Sequence, residues 1–224
     1  MKRVLRDNGL GILFGCLFLG ALVGQAVAGH ADYNNQQVVD GAQPVGFVQY
    51  LASSSFVVDV AENWQSEYLQ FFLYIFVTIW LVQRGSPESK MPDDAGPDSD
   101  EQQRVGRYAS QDSPTWARAG GWRTRVFSNS LCFVMGGIFL LSWLAQSIAG
   151  VVVYNADQLA NHQDTVTWVE YLGAADFWNR TLQNWQSEFL AVGSMVVLSI
   201  YLRQRGSPES KPVGATHVKT DGKG

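Results

Sequence analysis

Residues 10–28 read LGILFGCLFLGALVGQAVA, a run with no charged side chain and close to the ~20 residues an α-helix needs to cross a hydrocarbon core. Three further runs follow at 64–82, 126–149 and 185–202, and none of them contains a lysine or arginine. The mean hydropathy of −0.04 averages these runs with long polar segments and hides them. Lipid offers a backbone no hydrogen-bond partners, so apolar runs of this length must be helical. The alternation expected of a transmembrane β-barrel is missing. The pattern predicts an all-α integral membrane protein with four transmembrane helices.

Orientation follows from the basic residues. Lys2, Arg3 and Arg6 precede the first run; Arg84, Lys90, Arg104, Arg107, Arg118, Arg123 and Arg125 lie between the second and third; Arg203, Arg205, Lys211, Lys219 and Lys223 follow the fourth. The segment 29–63 has no basic residue of this kind and 150–184 has only Arg180. The positive-inside bias therefore places both termini and the central linker in the cytoplasm and both intervening loops outside. The net charge of −4 carries less information than this asymmetry. Ala26-Val27-Ala28 also makes a passable signal-peptide cleavage site. The comparable Ser147-Ile148-Ala149-Gly150 lies mid-chain, where no signal peptide can be, so the pattern reads as structural.

The chain repeats itself. An offset of 121 aligns residues 1–90 with 122–211 without a gap, with roughly a third of positions identical. Asn8 matches Asn129, Gly15 matches Gly136, Gln25 matches Gln146, Tyr33-Asn34 matches Tyr154-Asn155, and Tyr50-Leu51 matches Tyr171-Leu172. The strongest blocks are Asn63-Trp64-Gln65-Ser66-Glu67 with Asn184-Trp185-Gln186-Ser187-Glu188, and residues 83–90, QRGSPESK, with 204–211. The organisation is a first transmembrane hairpin over 1–90, a flexible cytoplasmic linker over 91–121, a second hairpin over 122–211 and a cytoplasmic tail over 212–224. Two copies in one orientation imply a pseudo-two-fold along the membrane normal.

Several matched residues read as helix punctuation. Ser55 and Asp176 stand where N-caps would start the second helix of each hairpin. Gly85 and Gly206 suit the left-handed position that ends it, with Arg84 and Arg205 beside them as headgroup anchors. Ser86-Pro87-Glu88 and Ser207-Pro208-Glu209 resemble fresh helix starts. Gly11 with Gly15, and Gly20 with Gly24, have the small-xxx-small spacing of close helix packing. Residues 45–51 and 166–172 suit short helices at the outer interface.

The Asn-Trp-Gln-Ser-Glu blocks carry the candidate site. Counting back from the cytoplasmic end puts Trp64 and Trp185 at the outer interface as aromatic anchors, with Glu67 and Glu188 just inside. A carboxyl there is costly unless it is paired, neutral or wet. Asn63 shares a helical face with Glu67, and Asn184 with Glu188. Gln25 and Gln146 fall at similar depth, so a polar cluster of Gln25, Asn63 and Glu67, and another of Gln146, Asn184 and Glu188, is expected. Such clusters either hydrogen-bond the hairpins together or hold a cation or proton.

Chemistry of other kinds is not indicated. Cys16 and Cys132 fall inside apolar runs at unmatched positions and read as filler. His30, His162 and His217 are not repeat equivalents and cannot clamp a haem or metal within the runs. No nucleophile with a base, metal cluster or phosphate loop occurs at credible spacing, so neither an enzyme nor a cofactor is expected. The basic residues follow the topology pattern rather than forming a nucleic-acid stripe. At its two repeated blocks the chain resembles a family of small bacterial, largely actinobacterial, membrane proteins classed as a domain of unknown function. That resemblance implies a multi-pass protein of the bacterial inner membrane and supplies no activity. The expected partners are the lipid bilayer and a second copy or another membrane protein. The function expected is structural or partner-binding in the cell envelope, with a small cation or proton transporter using Glu67 and Glu188 as the alternative.

Overall fold

The computed structural model describes residues 2–220; Met1, residues 221–224 with Lys223, and the side chains of Lys2 and Arg3 lie outside the described residues. Among the described residues the chain is helical, with no strand. The helices are α1 (Lys2–Val39), α2 (Phe47–Leu51), α3 (Ser54–Val77), α4 (Thr115–Ala119), α5 (Gly121–Ser128), α6 (Ser130–Ala160), α7 (Trp168–Tyr171) and α8 (Ala175–Tyr201). Short 3-10 turns at Pro92–Asp94 and Gly106–Tyr108 punctuate the segment between α3 and α4.

Two helices are long and apolar enough to cross a membrane, α1 over Val4–Val39 and α6 over Ser130–Ala160. In the most apolar window of α1 only 6 % of residues are buried, and in that of α6 17 %. Leu10, Phe14, Leu17 and Val23 on α1, and Leu131, Phe133, Leu140 and Leu141 on α6, stand exposed. A continuous apolar surface of this kind needs an apolar neighbour, because water would leave it unsolvated.

An asparagine interrupts the helical path near the start of each long helix. Asn8 breaks α1 with φ −132° and ψ 16°, and its amide donates to the Val4 carbonyl at 3.2 Å. Asn129, between α5 and α6, has φ −115° and ψ 9° and donates to the Arg125 carbonyl at 2.8 Å. In each case the side chain takes a carbonyl four residues back, competing with the helix for it.

The helix ends differ from the sequence expectation. Ser55 lies inside α3, whose first turn is met by Ser53, with the Phe56 amide donating to Ser53 Oγ at 3.3 Å. Asp176 lies in the first turn of α8 and accepts from the Tyr171 hydroxyl at 3.0 Å. At the other end, α3 stops at Val77 and α8 at Tyr201, ahead of Gly85 and Gly206. Thr78 Oγ1 donates to the Tyr74 carbonyl at 2.6 Å, a back-bond that competes with helix continuation. Arg203 closes α8 by donating to the carbonyls of Ser199, Ile200 and Leu202. No helix restarts at Ser86-Pro87-Glu88 or Ser207-Pro208-Glu209, which form turns.

The chain divides into two compact units. The first comprises Met1–Ala61 with Ala145–Phe177, and the second Glu62–Leu144 with Trp178–Gly224.

Candidate functional site

In the second unit, the Asn-Trp-Gln-Ser-Glu stretch of α3 meets its counterpart on α8. Gln65 is fully buried, and its Oε1 accepts from Trp185 Nε1 at 2.7 Å while its Nε2 donates to the Glu62 carbonyl at 3.1 Å. Ser66, also buried, donates back to the Asn63 carbonyl at 2.9 Å. Trp185 packs against Trp143 with ring centroids 5.9 Å apart and against Phe139 at 6.5 Å. Arg180 reaches Glu62 at 3.5 Å, one turn from the Gln65–Trp185 bond. Trp185 therefore fastens the two helices together, a contact that its position in the sequence did not announce, and Trp64 is 39 % exposed.

The polar residues singled out from the sequence divide between the units. Gln25 on α1 is half-buried and Gln146 on α6 fully buried, both in the first unit. Asn63 and Glu67 are exposed on α3, and Asn184 and Glu188 half-buried on α8, all in the second. Asn184 donates its amide to the Arg180 carbonyl at 2.9 Å. Glu67 and Glu188 lie within electrostatic range of one another. Among the described residues no group of three or more His, Cys, Asp or Glu side chains could hold a metal ion.

The first unit holds two constellations that sequence reasoning did not assign. Asn34 pairs with the backbone of Val45 at both ends of its amide: Val45 N donates to Oδ1 at 2.8 Å and Nδ2 donates to the Val45 carbonyl at 3.1 Å. Asn155 does the same to Val166, both bonds 2.8 Å. His30 adds a ring nitrogen 2.8 Å from the Val45 carbonyl. Beside each clamp a tyrosine is buried against a glycine. Tyr50 and Tyr171 are 2 % and 0 % exposed, packed on Tyr33 and Phe56 and on Tyr154 and Phe177 respectively. A Cβ at Gly29 would fall 2.2 Å from the Tyr50 hydroxyl, and one at Gly150 2.6 Å from that of Tyr171. Burial, then the charges of Asp59 and Asp32, hold the Tyr50 hydroxyl above its usual range. The signal was present as sequence identities, which mark positions without saying what each touches.

The QRGSPESK stretches of the second unit each build a turn. The Ser86 amide donates to the Gln83 carbonyl at 3.1 Å around Gly85 at φ +87°, and Ser207 to Gln204 at 3.2 Å around Gly206 at φ +83°. Ser89 Oγ accepts from Gln83 N at 2.8 Å and Ser210 Oγ from Gln204 N at 2.9 Å. Positive φ explains the glycine in both turns. Arg84 and Arg205, read as headgroup anchors, are exposed beside those glycines. The lysines differ in environment. Lys90 forms an ion pair with Asp98 at 2.6 Å, and hydrogen bonds from Lys90, then Gln103, hold the Asp98 carboxyl below its usual range. Lys211 is 1 % exposed and donates to the carbonyls of Gly85 at 2.5 Å, Thr216 at 3.3 Å, His217 at 3.1 Å and Lys219 at 3.2 Å. Burial, then the nearby charge of Arg203, holds its ammonium below the usual lysine range.

A family model described as a domain of unknown function (DUF6766) matches residues 1–222. No curated protein and no solved structure matches the chain.

Proposed function

The chain belongs to that family, whose description assigns no activity, and from that premise we propose that it is a non-enzymatic, multi-pass protein of a bacterial plasma membrane with a structural or partner-binding role in the envelope. In this reading α1, α3, α6 and α8 are four spans, the chain is a tandem repeat of one helical hairpin, and the termini and linker are cytoplasmic. Exposed Phe71 and Phe76 on α3, and Leu190 and Val197 on α8, support a lipid-facing place for those helices. The recurrence of the asparagine clamps, the glycine–tyrosine contacts and the QRGS turns at an offset of 121 supports the repeat. Its partners are the bilayer and a second copy or another membrane protein, with no part for nucleic acid.

One observation carries the structural role: the repeated Asn-Trp-Gln-Ser-Glu block uses its buried glutamine to bond a tryptophan of the other copy. A polar contact between apolar helices locks their rotation and register, which is a scaffold's requirement. Transport is the second reading, supported by the proximity of Glu67 to half-buried Glu188. Flux of protons and monovalent cations into proteoliposomes under an imposed gradient separates the two. The structural role expects no flux above empty liposomes and unchanged thermal stability in Glu67→Gln/Glu188→Gln. Flux that vanishes in that folded variant overturns it in favour of transport.

A further inference from the structure

Along the last turns of α8 a cavity of about 430 Å³ is lined by Ala191, Met195, Leu198 and Leu202, with Arg203 and Glu209 at its polar end. That volume lies in the ~300–1,000 Å³ range of small-molecule sites, and four serines and Gln204 line it beside the apolar side chains. The position 121 residues before Met195 is Tyr74, and that before Glu209 is Glu88. In the first copy the chain supplies a phenol of its own: the Tyr74 hydroxyl donates to Glu88 Oε2 at 2.9 Å. In the second, Met195 has no ring and no hydroxyl. The Glu209 carboxylate, exposed, has no hydrogen-bond partner among the described residues. Arg203 keeps a buried Nε without a hydrogen-bond partner among the described residues.

We infer that this cavity binds a phenolic amphiphile, a hydroxylated aromatic ring with an aliphatic tail, which stands where Tyr74 stands in the first copy. The ring lies on Met195 and Leu198, and the thioether of Met195 suits an aromatic face. The hydroxyl donates to Glu209, as that of Tyr74 does to Glu88. The tail runs along α8 towards Ala191. An anionic lipid headgroup is the poorer occupant, because Glu209 repels it while accepting a neutral hydroxyl.

The inference rests on the tandem-repeat reading, because the template is the matched tyrosine. Its test is calorimetric titration of the full chain in nanodiscs with p-octylphenol, beside octylbenzene and a nanodisc series enriched in anionic phospholipid. Saturable binding of p-octylphenol is expected, absent for octylbenzene and insensitive to the anionic lipid. Met195→Tyr, which installs the first copy's residue, should abolish binding without lowering the unfolding temperature; Met195→Ala should retain it. Glu209→Gln should weaken it about tenfold, the worth of a charge-assisted hydrogen bond. Equal binding of octylbenzene, competition by the anionic lipid, or binding that survives Met195→Tyr overturns the inference. Cysteine labelling of the topology reports on the repeat reading separately, so a chain with the proposed topology and no saturable binding overturns this inference alone.

Discussion

Gly29 and Tyr50 occupy one volume between them. The added methyl of Gly29→Ala would meet the hydroxyl at 2.2 Å and the ring carbon behind it at 3.2 Å, with a 2 % exposed ring that has nowhere to swing. Overpacking of this kind costs about 1–3 kcal/mol. Gly29→Ala is expected to lower the unfolding temperature in detergent, and Gly29→Ala/Tyr50→Phe to recover most of the loss by removing the colliding oxygen. A double variant no more stable than the single one would show that the clash is not with the hydroxyl. Lys211 makes a second prediction, through pH. Its folded-state pKa is depressed below the ordinary 10.5, so between the two values the unfolded chain binds the proton and the folded chain does not. The docking of residues 212–220 should therefore tighten as pH rises through the folded pKa towards 10.5. Anisotropy of a dye at the C terminus should increase over that window in wild type and stay flat in Lys211→Met. The same variant leaves four carbonyls without their donor and should loosen the tail at neutral pH by about 2 kcal/mol.

At the scale of elements, the sequence announced helices well and their ends poorly. Long apolar runs fix that a helix exists. Its terminus depends on which side chain takes the last carbonyls, and at α8 that is Arg203, whose reach a string of letters does not display. Gly85 and Gly206 were legible as positive-φ positions, yet they turn the chain after the helix has stopped rather than ending it. The candidate site shows the same limit. Counting along α3 and α8 gives depth but not rotation, so the tryptophans of the repeated block looked alike, and only the packed helices distinguish Trp185 on Gln65 from exposed Trp64. A double-mutant cycle over Gln65→Leu and Trp185→Phe should return a coupling of about 1 kcal/mol in thermal unfolding, typical of polar contacts between apolar helices. Additivity of the two losses would remove the fastener on which the structural reading rests. For the loops, Asn34→Leu takes the acceptor from the Val45 amide and leaves its carbonyl with His30 alone, and should cost about 1–2 kcal/mol, read as faster proteolysis between α1 and α2.

For the molecule as a whole, α1 and α6 are apolar enough to span a membrane by composition alone, whereas α3 and α8 carry the polar Asn-Trp-Gln-Ser-Glu turns and fall short of that measure. The polar turns lie midway along α3 and α8, and a polar turn there is compatible with crossing when its groups bond each other, as Gln65 and Trp185 do. In the proposed topology the basic residues orient the spans, and accessibility of single cysteines tests it with Cys16 and Cys132 first replaced by serine. Gln43, Ser99, Asn161 and Val218 are exposed and lie in the first loop, the linker, the second loop and the tail. A membrane-impermeant maleimide should label Gln43→Cys and Asn161→Cys from outside intact inner-membrane spheroplasts, and Ser99→Cys and Val218→Cys only after permeabilisation. Labelling of Ser99→Cys and Asn161→Cys from opposite sides requires that α6 crosses. Agreement of Gln43 with Asn161 requires that α3 and α6 both cross or neither does, and agreement of Ser99 with Val218 requires the same of α6 and α8. If Gln43→Cys and Ser99→Cys instead share a side, α3 does not cross, the copies do not have the same topology, and the four-span repeat fails while the two apolar helices stand.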